Sequence, residues 1–227
     1  MKIYITNVFF GISQGKWHNV SSDRSMKTPL HYICQHSPPY DIVKLLLQKI
    51  AASPLSVWSI DFNGNTCLHS FLGGSASASG FNSPDLDLLR LLIHVSGVQK
   101  LTGEFSLEQS IEYLSYKNER GCTPLHFLVS RSIYQPSSQC EFLKEVLTLS
   151  EDIGYIVDND GESLLHYCAY EGNDFPIEIF RTLVHYCPKL VSMRCEDYLR
   201  PCDVLWKVPT NLCIYFNLTF IIHKLLF

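Results

Sequence analysis

The sequence predicts an all-α fold, a solenoid of stacked helix-turn-helix repeats joined by short hairpin turns. Three recurrences predict it. The first is a four-residue start. Thr28-Pro29-Leu30-His31 returns as Thr66-Cys67-Leu68-His69, Thr123-Pro124-Leu125-His126 and Ser163-Leu164-Leu165-His166, with Arg200-Pro201-Cys202-Asp203 as a worn fifth copy. The histidines, with Asp203 in the last place, lie 38, 57, 40 and 37 residues apart. Self-similarity at a period of about 20 to 50 residues marks stacked repeats. The second recurrence is an apolar run interrupted by one base: Ile42–Leu47 around Lys44, Leu88–Ile93 around Arg90, Phe142–Leu147 around Lys144 and Ile179–Val184 around Arg181. The third is a turn. Asp23, Asp61, Asn118 and Asp158 stand five residues before each start, and Gly64, Gly121 and Gly161 stand two before it.

Each recurrence has a physical reading. Thr or Ser at the start is an N-cap, whose hydroxyl accepts from an orphaned amide of the first turn. Pro at the first helical position has its φ preset and no amide to leave unpaired. Leu opens the buried face. The histidine, about one turn later, is expected to be a hydrogen-bonded packing residue tying one unit to the next. Four histidines as ligands of one metal ion is the rival reading, and residues one repeat apart sit on successive layers rather than around an ion. The apolar runs predict second helices with a wide buried stripe, their bases reaching solvent without a further role. Asp or Asn followed by Gly is turn chemistry, with the side chain bonding its own backbone and Gly supplying φ > 0. Met26 and Tyr198 hold the glycine's place in the first and last copies.

Turn, short helix, loop, second helix, next turn: over residues 23–205 this order and the Thr-Pro-Leu-His starts resemble the ankyrin repeat family, whose signature is T-P-L-H-x-A. The family's alanine is replaced here by Ile33, Phe71, Leu128 and Cys168, so a divergent array of about five repeats is expected, with its helix interfaces packed differently. The resemblance implies a non-catalytic scaffold that holds a protein partner on the concave face of the stack. The residues expected to contact it are the turn tips Arg24, Phe62, Asn65, Glu119, Arg120, Asn159 and Asp160, and the residues after the histidines, Tyr32, Phe127 and Tyr167, whose aromatic rings either anchor a partner or are packed between repeats. The alternatives are a stack tethered to a membrane by its apolar C-terminal segment and a fragment of a larger ankyrin repeat protein.

Composition narrows the function classes. A formal net charge of −4 gives no basic field for nucleic acid. Nine cysteines, scattered and without a CxxC, read as free and mostly buried thiols in a reducing compartment, cytoplasmic or nuclear. No metalloprotease, serine-hydrolase, nucleotide-loop or dinucleotide fingerprint occurs, so no enzyme activity and no cofactor or metal are expected. A Cys–His pair such as Cys67 and His69 is two apart on one helix and does not face itself. The chain is expected to be a monomer.

Along the chain, residues 1–22 do not match the repeat and read as an N-terminal cap or loosely attached segment, 23–207 as the repeat array and 208–227 as an apolar C-terminal helix or tail. Ser37-Pro38-Pro39-Tyr40 closes the first short helix and Asp41 opens the second. The small residues from Gly73 to Gly80 read as a surface loop. Ser96–Ser115 is an insertion in which Ser106-Leu107-Glu108-Gln109 caps a short extra helix running to about Tyr113; it reads as an elaborated connection or as a partner contact. Gln135-Pro136-Ser137-Ser138 reads as a loop, and Glu171-Gly172-Asn173 closes the fourth short helix. Asn211–Phe227 is strongly apolar but short for a span, with His223 and Lys224 inside it; membrane contact, if any, is expected there.

Overall fold

The computed structural model describes residues 25–35, 41, 43–45, 47, 57–73, 83–97, 106–130, 136–171 and 177–207. The segments 1–22 and 211–227, the tip residue Arg24 and most of the Gly73–Gly80 loop lie outside them. The described residues are helical, with no strand among them.

Every start proposed from the sequence opens a short helix. These are α1 (Pro29–Gln35), α2 (Cys67–Gly73), α5 (Pro124–Val129), α7 (Leu164–Tyr170) and α9 (Pro201–Lys207). Between them stand the second helices α3 (Ser83–Gly97), α6 (Pro136–Leu149) and α8 (Ile177–Tyr186), with helical residues at 41, 43–45 and 47 in the first unit. The helix of the insertion is α4 (Leu107–Ser115).

The short helices pack in chain order, α1 on α2, α2 on α5, α5 on α7 and α7 on α9. The longer ones form a second row, α3 on α6 and α6 on α8. A six- or seven-residue helix has too few internal bonds to stand alone, so its stability comes from this packing. Leu30, Leu68, Leu125 and Leu165, the third residue of the first four starts, are buried to 1% or less. Burying a leucine of that kind contributes roughly 2 kcal/mol. Leu88, Leu89 and Leu92 of α3, Phe142, Leu143 and Val146 of α6, and Ile179, Phe180 and Leu183 of α8 complete one continuous core.

The positions where the family carries alanine are filled by larger side chains. Phe71, Leu128 and Cys168 are buried, and Ile33 is half-buried against the core. These substitutions change which atoms fill the interface without exposing it.

One expectation is corrected and two are extended. Gln135–Ser138 is not a loop throughout: Pro136 opens α6, because proline's fixed φ and absent amide suit a first helical turn. The bases of the second helices are exposed, as expected, but Arg90 has a further role. Arg90 of α3 bonds Glu141 at 3.0 Å and Glu145 of α6, and Asp87 of its own helix at 3.4 Å, so it ties two helices of the outer row. The insertion is more than a surface connection. Ser106 caps α4, its hydroxyl accepting from the Gln109 amide, and Ser110, Tyr113 and Leu114 are buried. Tyr113 reaches under the second unit, where its hydroxyl donates to the Val57 carbonyl at 3.1 Å and its ring meets Trp58 edge-on at 4.9 Å.

Candidate protein-binding surface

The short helices meet the turns that precede them along one edge of the molecule, and two sets of hydrogen bonds build that edge. The first set closes each turn. Asp61 Oδ1 accepts from the amides of Asn63 and Asn65, both at 2.9 Å. Asn118 Oδ1 does the same for Arg120 and Cys122, and Asp158 Oδ1 for Asp160 and Glu162. The glycine that follows is left-handed in each, at φ 72°, 76° and 73° for Gly64, Gly121 and Gly161. That region suits glycine because it has no Cβ. Met26 and Tyr198 adopt the same conformation, at φ 54° and 62°, with side chains.

The second set joins one turn to the next. Phe62 donates its amide to the Ser25 carbonyl, Glu119 to Asn63, Asn159 to Arg120 and Glu196 to Asp160, at 2.9 to 3.0 Å. Asn118 Nδ2 donates to Asn65 Oδ1 and Asn159 Nδ2 to the Glu119 carbonyl, each at 2.8 Å. The tips are therefore held backbone to backbone across four junctions.

The histidines reinforce each junction from beneath. His126 Nδ1 accepts from the Thr123 amide at 3.1 Å and lies 2.9 Å from its hydroxyl, and Nε2 lies 3.4 Å from the Glu162 carbonyl of the next turn. His31, His69 and His166 repeat this, with Nε2 at 2.9, 3.0 and 3.0 Å from the carbonyls of Asn65, Cys122 and Leu199. An amide N–H cannot accept and a carbonyl cannot donate. The partners thus fix the neutral tautomer, with a bare Nδ1 and a proton on Nε2. Burial holds His31 below the usual imidazole pKa and pushes His69 and His126 down to about 4. The rings sit one unit apart with both nitrogens engaged. Among the described residues no group of histidine, cysteine or acidic side chains is placed to hold a metal ion.

The proposed contact residues fall into two groups. Phe62, Glu119, Arg120, Asn159 and Asp160 are exposed, Phe62 at 61%. Asn65 is half-buried and bonded to Asp61 and Asn118. Tyr32, Phe127 and Tyr167 are half-buried and occupied within the fold. Phe127 sets its edge on His69 at 5.7 Å, and Tyr167 sets its ring on His126 at 4.9 Å. The Tyr167 hydroxyl donates to Asp158 at 2.8 Å and lies 3.0 Å from the Cys122 thiol. Tyr32 lies near Ser25, with Lys27 over its ring. Of the two readings the sequence leaves open for these aromatic residues, packing between repeats holds for Phe127 and Tyr167, each of which reaches back to the histidine of the preceding unit.

The cysteines within the described residues carry free thiols, and all but Cys202 are buried. Burial pushes the Cys187 thiol up to about 11 and Cys168 higher, so neither is an activated nucleophile. Among the described residues no helix is long and apolar enough to cross a membrane.

Short helices capped by Thr or Ser, closed Asx turns and a histidine bonded to the next unit define the class: a helical repeat protein whose units are joined through hairpin-like turns. The ankyrin repeat family model matches residues 26–57, which hold the first start and its second helix. No curated protein matches the chain.

Proposed function

We propose that the chain is a non-catalytic protein-interaction module, a solenoid that holds a protein partner across its turn tips and the adjoining concave face. The observation that carries this reading is the backbone ladder from Ser25 to Glu196, which holds Phe62, Glu119, Arg120, Asn159 and Asp160 on fixed, exposed tips. A surface already ordered loses little entropy when a partner docks, and different tip residues select different partners on the same frame. Phe62 is the apolar anchor and the charged tips set register. Repeats of this family are typically non-catalytic, in keeping with thiols whose burial removes their nucleophilicity. Free buried thiols support a reducing compartment, cytoplasmic or nuclear.

The test is affinity capture with the full chain, comparing Phe62→Ser/Arg120→Glu/Asp160→Lys with an outer-row control, Lys144→Glu/Arg181→Glu. A recurrent partner lost only by the tip variant, with circular dichroism unchanged, is the expected result. A partner lost by the outer-row control and kept by the tip variant would move the site to the second helices.

A further inference from the structure

The histidine rungs do more than hold the stack, because their geometry depends on one protonation state. At each rung Nδ1 faces an amide N–H that has no other orientation, and Nε2 donates across the unit boundary. A proton added at Nδ1 would set N–H against N–H, remove the acceptor of the helix cap and place a charge where the ring is 1% exposed (His69) or fully buried (His126). The surroundings compensate only in part: the Thr66 and Thr123 hydroxyls, 2.9 Å from the rings, could turn to accept, but the amide beside each would still face a donor. His69 is faced by the Asp61 carboxylate, by the neighbouring rings of His31 and His126, and by the edges of Tyr116 and Phe127. His126 is faced by Asp158, by the like charge of Lys117, which repels an imidazolium, and by the ring of Tyr167. Both oxygens of Asp61 are already bonded by its own turn, and Asp158 is bonded by its turn and by Tyr167.

We propose that His69 and His126 form a proton-sensitive latch: the units they join stay closed while the rings are neutral and separate together in mild acid, loosening the tips from Asp61 to Glu162. The two rungs act together because the second unit's ring bonds the turn that precedes the third unit's cap, and the third unit's ring bonds the turn of the fourth.

The direction follows from linkage. With folded values near 4 and an unfolded value near 6.5, the unfolded chain binds more protons below about pH 6.5, so the rungs' stability is complete above that pH and is lost as pH falls toward 4. Between pH 7 and pH 5 the unfolding equilibrium constant should rise about 20-fold for each of the two histidines. That window lies above the range in which unfolded carboxylates titrate.

The experiment is imidazole ¹⁵N NMR of the full chain from pH 7.5 to 4.5, with urea unfolding at pH 7 and pH 5 for the parent, His69→Gln, His126→Gln and the exposed control His185→Gln. The expected result is that both rings keep the Nε2–H neutral form until the chain opens. Each rung variant then removes most of its own 20-fold pH dependence, and His185→Gln leaves the rungs' share in place. Protonation of either ring above pH 6 in the folded chain overturns the proposal, as does a double variant that keeps the parent's pH dependence. Should the variants fail to fold, the NMR titration of the parent decides by itself.

Discussion

Units three and five begin with the same geometry and end differently. In unit three the residue at the fourth place of the start is His126, which caps its own helix through Nδ1 and bonds the next unit through Nε2. In unit five the place belongs to Asp203. It caps its helix as faithfully, Oδ2 accepting from the Arg200 amide at 2.9 Å, and it adds ion-pair contacts to the Arg200 guanidinium at 3.0 and 3.1 Å. Those bonds hold the Asp203 carboxyl down to about 2. A carboxylate has acceptors only. Asp203 can therefore satisfy its own unit and has no donor to send onward. The comparison separates two tasks that histidine performs at once, capping a helix and joining two units.

The largest effect should come from taking the joining task away. His126→Ala leaves the Thr123 amide without a partner, takes one of two donors from the Glu162 carbonyl, which keeps the Asp158 amide, and opens a cavity; together these should lower the unfolding free energy by about 3 to 4 kcal/mol. Asp203→Ala removes a partly exposed cap and should shift the melting temperature far less; equal losses from the two variants, read by thermal melts, would erase the distinction.

Gly121→Ala tests the turn above the same junction. A Cβ there would stand 2.5 Å from the Asn159 amide nitrogen on a backbone at φ 76°. Strain and clash together should cost about 3 kcal/mol, measured by urea unfolding. Gly161 has its nearest atom at 3.2 Å, so Gly161→Ala should cost less.

The end turns offer the reverse experiment. Tyr198 takes the left-handed conformation with its side chain 78% exposed. Tyr198→Gly should therefore stabilise the chain by about 1 kcal/mol, the relieved strain exceeding glycine's added unfolded-state freedom. No gain in melting temperature would mean that the tyrosine ring makes up for its backbone. The smallest effect should be Arg90→Ala. Its three carboxylate partners are exposed, water and salt screen them, and a loss of about 1 kcal/mol or less that shrinks in high salt is expected.

Much of this frame is legible without coordinates. The starts at Thr28, Thr66, Thr123, Ser163 and Arg200 mark helix starts because cap chemistry and proline geometry are local. The turns at Asp61, Asn118 and Asp158 read correctly for the same reason, and so does the cap of α4 at Ser106. Even the odd residues in the glycine place, Met26 and Tyr198, could be flagged from position alone.

What the sequence left open are the partners of groups distant along the chain. That Arg90 meets Glu141 and Glu145, that Tyr113 fills space beneath the second unit, and that Tyr167 is committed to Asp158 and Cys122 depend on where the rows of helices fall against each other. A periodic pattern reports which face of a helix is buried; it does not report which atoms lie across the interface. The sequence by itself determined the unit, its caps and its turns, because those bonds close within about five residues. The tertiary structure alone decided which histidine nitrogen bonds which carbonyl, and which aromatic residues are occupied within the fold, because those contacts form only when one unit lies against the next.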